Sequence, residues 1–220
     1  MKRALITGAS RGIGKEIADL FQLNGVEVIS PTRDELDLSN RESLLKFCER
    51  FDWQIDILIN NAGINPIRKL DEFDFDTIQE VYMVNVFAPL MLMQHASKYM
   101  KQNNCGKIVN VSSIWSNVSK AGRILYSGSK SAINAMTRTA AIELGENNIL
   151  VNAIAPGFVD TELTRLNNTS EEIELILNNI PLNKLASVTN IADLAWFLCS
   201  DKNQYITGQT ILIDGGFTCK

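Results

Sequence analysis

Histidine is almost absent from this chain of 220 residues, which contains only one, His95. A histidine-based metal site or catalytic triad therefore has almost no material to form from, which excludes several hydrolase mechanisms. His95 lies in the apolar stretch LMLMQHASKYM, where a histidine in the core or at a subunit interface is more typical than a metal ligand. We expect no metal site.

The sequence also lacks long apolar runs and paired cysteines. No segment approaches the roughly 20 apolar residues that span a bilayer, and Thr7 and Gly8 interrupt the N-terminal MKRALITGAS before it reaches the apolar length of a signal peptide. The four cysteines stand far apart without a C-x-x-C pair, which favours reduced thiols over disulfides or zinc. These absences predict a cytoplasmic protein without membrane contact.

Basic residues are neither abundant nor clustered. Lysine and arginine number 21 against 25 acidic residues, which gives a net charge of -4. We therefore expect a small-molecule partner and no nucleic acid.

With 45% hydrophobic residues, the chain can bury one core, and residues 1–220 are expected to form a single domain.

Six short apolar runs alternate with longer helical patterns. Nearly uninterrupted apolar runs are typical of strands covered on both faces, and helical segments between them indicate parallel βαβ units. The sequence therefore predicts an α/β fold, in which ELDL at 35–38 is a further candidate strand and a long helix covers 77–101. The six runs are RALIT at 3–7, VEVIS at 26–30, IDILI at 55–59, KIVNV at 107–111, ILVNAI at 149–154 and QTILI at 209–213.

The segment TGASRGIG, residues 7–14, joins the first run to a helical pattern. Gly8, Gly12 and Gly14 allow a tight turn and a close approach of the backbone to a pyrophosphate, while the helix N-terminus offers unpaired N–H groups. The spacing G-x-x-x-G-x-G differs from the G-x-G-x-x-G dinucleotide motif. Glycines that only shape a turn therefore remain an alternative.

The end of the second strand should distinguish the two nicotinamide cofactors. An acidic residue there would bind the ribose hydroxyls of NAD, whereas a basic residue accommodates the 2'-phosphate of NADP. The sequence ISPTRDELDL has Thr32 near the expected acid position and Arg33 next to it. With Arg11 in the glycine loop, two guanidinium groups favour NADP over NAD. Asp34 or Glu35, if turned inward, would instead repel the extra phosphate.

Tyr126 and Lys130 lie one helical turn apart in the segment SIWSNVSKAGRILYSGSK, residues 113–130. A neighbouring ammonium favours the phenolate and lowers the phenol pKa from its ordinary value of about 10, as proton-transfer catalysis requires. A solvated pair on a helix surface is the alternative.

Further motifs accompany these residues in a fixed order: NNAG at 60–63, Asn85, Ser113, APGFVDTEL at 155–163 and ITGQTILIDGG at 206–216. Together, over essentially the whole chain, they resemble the classical short-chain dehydrogenase/reductase family, and most closely its 3-oxoacyl-[acyl-carrier-protein] reductases. The resemblance implies a single Rossmann-type doubly wound sheet of about seven parallel strands, a homotetramer, and reduction of a carbonyl to a secondary alcohol or the reverse. A sugar, polyol or other alcohol as substrate, and a non-catalytic dinucleotide sensor, are the alternatives.

The resemblance also implies a role for each matching residue. Tyr126 is the general acid or base, and Ser113 stabilises charge on the substrate oxygen. Lys130 lowers the tyrosine pKa and binds the nicotinamide ribose, and Asn85 holds a water of the proton relay. Ser112 is interpreted as structural, because the family's interval to the tyrosine fits Ser113. The implied cofactor-binding positions are Gly8, Ser10, Arg11, Gly12, Ile13, Gly14, Arg33, Asp37, Leu38, Asn60, Ala62, Gly63, Tyr126, Lys130, Pro156, Gly157, Val159 and Thr161.

Some features depart from the family pattern or vary within it. Only a few residues separate VEVIS from ELDL, where family members commonly have a helix, so one crossover is trimmed. Trp115 replaces a glycine that often follows the catalytic serine, and it either lines the substrate pocket or serves packing.

The polar segment 160–179 is a candidate lid. An oligomer interface is predicted on the helix after Tyr126, at Ile133, Met136, Ala140 and Leu144, and on the long 77–101 helix, which is more apolar than one sheet face requires.

Overall fold

The computed structural model of the protein describes residues 1–166 and 168–219. In these residues six strands form one parallel sheet in the order β2-β1-β3-β4-β5-β6. The strand order reverses beside β1, which creates a crevice at the carboxyl ends of β1 and β3. The predicted α/β fold is confirmed. The strands are β1 (Arg3–Ile6), β2 (Glu27–Ile29), β3 (Ile57–Asn60), β4 (Gly106–Val111), β5 (Ile149–Pro156) and β6 (Thr210–Ile213).

Helices cover both faces of the sheet because successive strand residues point to opposite sides. Ala4 and Ile6 pack with α1 and α8, whereas Leu5 between them packs with α2, α4 and α5. Each face therefore has its own apolar layer, which explains the nearly continuous apolar runs. The helices are α1 (Gly12–Leu23), α2 (Arg41–Arg50), α3 (Phe75–Tyr82), α4 (Ala88–Gln102), α5 (Ile124–Leu144), α6 (Glu162–Leu166), α7 (Ser170–Asn179) and α8 (Val188–Cys199).

The candidate strand at 35–38 is wrong, because its backbone bonds are local. The Leu36 N–H donates to the Thr32 carbonyl oxygen at 2.9 Å, and the Thr32 N–H donates to the Glu35 carboxylate at 2.7 Å. Leu36 is buried in the core, so its apolar character reflects packing of a turn. In the described residues β2 is thus an edge strand, next to the trimmed crossover.

The long helix predicted over 77–101 is present but contains an irregular turn. Residues Met83–Phe87 form a π-helical turn between α3 and α4. Such a turn inserts an extra residue into the helix and is frequent at functional sites. Here it contains Asn85.

The predicted interface positions on α5 are wrong in part. Ile133 and Leu144 are buried in the monomer's own core, and Met136 and Ala140 pack partly against it, because the inner face of α5 covers the sheet. The exposed large apolar side chains of α5 are Ile124 and Ile142, and those near the start of α4 are Phe87 and Leu90.

The four cysteines are free thiols. Burial raises the pKa of Cys48 to about 11 and that of Cys199 to about 12, so both are inert at neutral pH.

His95 stacks on Trp53 at a centroid distance of 5.3 Å. Within residues 1–166 and 168–219, no group of three His, Cys, Asp or Glu could hold a metal, and no helix is long and apolar enough to cross a membrane.

Candidate active site

Ser113 and Tyr126 meet beyond the carboxyl end of β4. Ser113 is 6% exposed and begins a short 3-10 turn, where its Oγ accepts the Trp115 N–H at 3.2 Å. Tyr126 is the third residue of α5. The two side chains interact, and this interaction favours the phenolate.

The Tyr126 phenol has a raised pKa. Desolvation is the largest cause, while Ser113 and the positive charge of Arg123 act in the opposite direction. The sequence predicted a lowering by Lys130, but the lowering contributions here come from Ser113 and Arg123. The phenol is therefore protonated at neutral pH, the form that can donate a proton.

Lys130 lies beneath the phenol ring. Its Nζ is 5.5 Å from the Tyr126 ring centroid and donates to the Val111 carbonyl oxygen at 2.7 Å. The side chain is buried, and desolvation lowers the pKa of Lys130 to about 8. The ammonium thus contacts the face of the ring and the end of β4.

Asn85 is fixed by three hydrogen bonds. Its Oδ1 accepts the Ile64 N–H at 2.9 Å, and its Nδ2 donates to the Ile64 carbonyl oxygen at 2.9 Å and to Ser129 Oγ at 3.0 Å. Ser129 Oγ in turn donates to the Tyr126 carbonyl oxygen at 2.8 Å. Sequence reasoning missed Ser129, which connects the π-helical turn to the first turn of α5.

Gly63 connects the NNAG turn to these side chains. A β-carbon on Gly63 would lie 3.3 Å from Asn85 Oδ1 and 3.3 Å from Lys130 Nζ. The four predicted catalytic residues are therefore brought into one cluster. Ser112 donates to the Lys130 carbonyl oxygen at 3.3 Å, so it supports the α5 backbone, in agreement with its structural interpretation.

The glycine loop packs closely on the end of β3. Gly8 and Gly12 have φ of 66° and 56°, a region that favours glycine. A β-carbon on Gly14 would lie 2.2 Å from the Gly8 carbonyl oxygen. Arg11 occupies the N-cap position of α1, but its side chain forms no capping hydrogen bond. The N–H groups of the first turn are therefore available to an anion. Ser10 is exposed and Ile13 half-buried.

Asn61 and Thr7 hold this loop, and sequence reasoning missed both. Asn61 Nδ2 donates to the carbonyl oxygens of Thr7 and Gly8, each at 3.0 Å. Thr7 Oγ1 accepts the N–H groups of Asn61 and Ala62, each at 3.1 Å. Asn60 instead lies inside the sheet, where its Nδ2 donates to Asn110 Oδ1 at 2.8 Å.

Arg33 lies after β2, in the trimmed crossover. Its Nε is 3.4 Å from Asp37 Oδ2, and its side chain is 76% exposed. Ser39 donates to Asp37 Oδ1 at 2.6 Å from its hydroxyl, which is the largest cause lowering the pKa of Asp37. Leu38 packs partly against the core.

The segment after β5 approaches the glycine loop. A β-carbon on Gly12 would lie 3.8 Å from Thr161 Cγ2. Gly157 donates its N–H to the Ile213 carbonyl oxygen at 3.0 Å, and Val159 is buried. Together with Pro156 at the end of β5, this segment forms the wall opposite the glycine loop.

Trp115 belongs to an aromatic cluster. Its ring lies edge-on to Phe158 at 6.0 Å and to Phe217 at 6.3 Å. It also lines a cavity of about 340 Å³ with Phe217, Lys120 and Asn179, so it both packs and lines a pocket. The candidate lid contains α6 and α7, and Asn167 between them lies outside the described residues.

Known proteins share this sequence pattern and this fold. The family model described as enoyl-(acyl carrier protein) reductase matches residues 35–218. The 3-oxoacyl-[acyl-carrier-protein] reductase FabG of Chlamydia pneumoniae is 32% identical over 99% of this chain and 97% of its own length.

Two solved structures extend the comparison. A 4-hydroxyisoleucine dehydrogenase complexed with NADH is 30% identical, with a TM-score of 0.94 over 100% of both chains. ElxO with NADP bound is 30% identical, with a TM-score of 0.89 over 100% of this chain and 99% of its own. The chain therefore belongs to the short-chain dehydrogenase/reductase family and is an NAD(P)-dependent oxidoreductase.

Proposed function

We propose that this protein reduces a carbonyl group to a secondary alcohol, with Tyr126 as the general acid, and catalyses the reverse oxidation when the alcohol is in excess. The observation that carries the proposal is the placement of the Tyr126 phenol, which interacts with Ser113 and whose ring centre lies 5.5 Å from Lys130 Nζ. Burial raises the pKa of the phenol, so it keeps its proton at neutral pH. A phenol in this state can give its proton to a carbonyl oxygen that gains negative charge. Ser113 donates a hydrogen bond to the same oxygen.

The other two residues of the cluster support this proton transfer. The Lys130 ammonium contributes a positive charge below the ring and a donor for a ribose hydroxyl. Asn85, fixed through Ile64 and Ser129, orients a water that restores the Tyr126 proton.

A nicotinamide dinucleotide fits the space between the glycine loop and the segment after β5. Among the described residues, apart from the chain neighbours of Gly12 and the backbone of α1, Thr161 alone would come within 4 Å of a β-carbon on Gly12. The uncapped N-terminus of α1 suits a pyrophosphate. When bound, the cofactor supplies the hydride. The residues expected to hold it are Gly8, Ser10, Arg11, Gly12, Ile13, Gly14, Asp37, Leu38, Asn60, Ala62, Gly63, Pro156, Gly157, Val159 and Thr161, with Tyr126 and Lys130 at the nicotinamide end. Asn60 would contribute through its backbone, because its side chain is bonded to Asn110 inside the sheet.

NADP is favoured over NAD because Arg33 and Arg11 carry positive charges that suit the 2'-phosphate of NADP. The carboxylate of Glu35 is engaged by Thr32, so it is held in its own turn rather than free to meet a phosphate. Asp37 competes for Arg33, but their contact is long and exposed and therefore weak. The neighbours include one protein with NADP bound and one complexed with NADH.

The candidate substrate classes are suggested mainly by the relatives of this protein and less by the geometry of the site. The FabG relative favours a 3-oxoacyl thioester, and the 4-hydroxyisoleucine dehydrogenase favours a hydroxy acid, while a sugar or polyol remains the other alternative within the family. A non-catalytic sensor has no need of a desolvated phenol beside Ser113. We further propose a cytoplasmic homotetramer.

The test is turnover, followed by the absorbance of the reduced cofactor. Purified protein is assayed with NADPH or NADH and a panel of 3-oxoacyl thioesters, oxo acids and ketoses. Oxidation of NADPH by at least one carbonyl compound is expected. Tight cofactor binding without turnover of any compound would favour the sensor instead.

A further inference from the structure

Two basic residues lie at the ends of one tight turn just before α5. The Arg123 N–H donates to the Lys120 carbonyl oxygen at 3.2 Å, and Gly122 has φ of 80°. A four-residue turn of this kind brings its first and last α-carbons within about 7 Å. The backbone therefore sets these two basic residues close together at the start of α5.

Neighbouring residues hold this turn in position. The Arg68 N–H donates to the Gly122 carbonyl oxygen at 3.3 Å, and a β-carbon on Gly122 would lie 3.1 Å from Ile67 Cγ2. Since Gly122 has a conformation that other residues rarely adopt, the segment is fixed both locally and by the loop against it. The backbone that carries Lys120 and Arg123 is thus held in place.

The two charges lack a counter-ion in the described part of the chain. Arg68, the third basic residue here, pairs with Asp74 at 3.3 Å, whereas Lys120 and Arg123 form no ion pair with any described residue. Arg123 is half-buried, and desolvation lowers its pKa. Partial burial of an unpaired guanidinium costs free energy unless an anion pairs with it.

These charges lie next to the candidate catalytic residues. Arg123 is one helical turn before Tyr126, and its charge acts on the phenol. Lys120 lines the cavity of about 340 Å³ together with Trp115 and Phe217, and the Trp115 N–H donates to Ser113 Oγ. One region thus combines a proton donor, an aromatic wall and two cations.

The Asp214 carboxylate, three residues before Phe217, is already occupied by hydrogen bonds. The Asp214 carboxylate accepts the N–H groups of Gly216 and Thr218, each at 2.9 Å, and the Thr218 hydroxyl at 2.7 Å. Its charge is therefore directed into the C-terminal turn, and it does not neutralise Lys120 or Arg123. The cavity also lies at the small end of the range for ligand pockets.

We propose that the substrate is a small oxo acid or hydroxy acid whose free carboxylate is bound by Arg123 and Lys120, with its apolar part against Trp115 and Phe217. This inference rests on the proposed function and narrows it. A guanidinium suits a carboxylate because its planar donors match both oxygens. Arg123 is then the main residue that determines substrate class, and the exposed Lys120 makes a smaller contribution.

The experiment compares each acid with its neutral ester. The probes are 3-oxobutanoate and 4-oxopentanoate, each beside its methyl ester, and a 3-oxoacyl thioester. The wild type is expected to have a higher kcat/KM for an acid than for its ester. Arg123→Gln should reduce that acid-to-ester ratio by about tenfold to a hundredfold, the effect of one charge-assisted hydrogen bond.

The ester separates carboxylate binding from any effect on Tyr126. Loss of the Arg123 charge also raises the Tyr126 pKa. That change affects kcat/KM for the acid and for its ester alike, so the ratio of the two kcat/KM values reports only the binding of the carboxylate. Arg123→Lys should retain part of the ratio, and Lys120→Gln should lower it less. Arg50→Gln removes an exposed arginine from the last turn of α2 and should leave the ratio unchanged.

Two outcomes would overturn the inference while the proposed function stands. One is equal use of acid and ester by the wild type, or use of the thioester alone. The other is an Arg123→Gln variant that loses both activities equally. Absence of turnover with every probe would contradict the proposed function and the inference together.

Discussion

The Lys130 ammonium lies 5.5 Å from the centre of the Tyr126 ring and is hydrogen-bonded to the end of β4 through the Val111 carbonyl oxygen. This arrangement puts the charge against the face of the ring. Desolvation then dominates both groups, so the tyrosine pKa rises and the lysine pKa falls. With a pKa above the ordinary value of about 10, the phenol keeps its proton at neutral pH, which is the form needed for carbonyl reduction.

Tyr126→Phe is expected to lower kcat by about a hundredfold to ten-thousandfold, the usual contribution of general acid catalysis. Cofactor affinity should stay near that of the wild type, because only the hydroxyl is lost. Tyr205→Phe is the matched control, since Tyr205 is 96% exposed, and it should leave kcat unchanged. A Tyr126→Phe enzyme that retains half its rate would exclude Tyr126 as the acid.

Lys130 makes the stability of the protein depend on pH. Its pKa is about 8 in the fold against an ordinary 10.5, so between these values the unfolded chain binds more protons and the free energy of unfolding rises with pH. Lys130→Met removes this contribution. The difference in unfolding free energy, wild type minus Lys130→Met, should be constant below about pH 8 and increase above it, as measured by urea denaturation. A difference that falls with pH contradicts the buried ammonium.

Gly14→Ala tests the contact between the glycine loop and α1. The new β-carbon would lie 2.2 Å from the Gly8 carbonyl oxygen, so the loop must shift. We expect a loss of stability of about 1 to 3 kcal/mol, typical of overpacking, together with weaker cofactor binding. Gly145→Ala is the control, because in the described part of the chain no atom beyond its chain neighbours and its own helix backbone lies within 4 Å of its β-carbon position. Equal effects of the two substitutions in thermal denaturation and cofactor titration would refute the contact.

A homotetramer is expected to give a light-scattering mass four times that of the 24.5 kDa chain. Leu90→Glu places a charge on an exposed apolar position of α4 and should lower that mass, because an interface core excludes charge. Leu23→Glu alters an equally apolar but separate position on α1 and should not. A monomer mass for the wild type at micromolar concentration would disprove the oligomer.

The sequence predicts those features that depend on local pattern. The strands, the glycine loop and the spacing of Tyr126 and Lys130 follow from periodicity and motif. The roles of Asn61 and Ser129 do not, because their bonds join segments distant in sequence. The burial of Ile133 in the monomer does not follow from the sequence either, since an apolar helix face looks the same whether it packs on its own sheet or on another subunit.

The preference for NADPH over NADH is expected to depend mainly on Arg33. In the structure Arg33 is exposed and contacts Asp37 at 3.4 Å, a weak pairing that a phosphate dianion can replace because it offers more charge and more acceptors. Arg33→Ala should lower kcat/KM for NADPH by about tenfold to a hundredfold while that for NADH stays nearly constant.

Arg11→Ala serves as the comparison, since Arg11 is the N-cap of α1 and its loss should affect both cofactors. Asp37→Asn removes the competing carboxylate and should increase the preference for NADPH, provided that Ser39 still holds the side chain. These ratios are measured with one substrate at one ionic strength, because exposed charges are screened by salt. If the parent enzyme prefers NADH, or if the ratio is the same after Arg33→Ala, the trimmed crossover does not bring Arg33 to the 2'-phosphate.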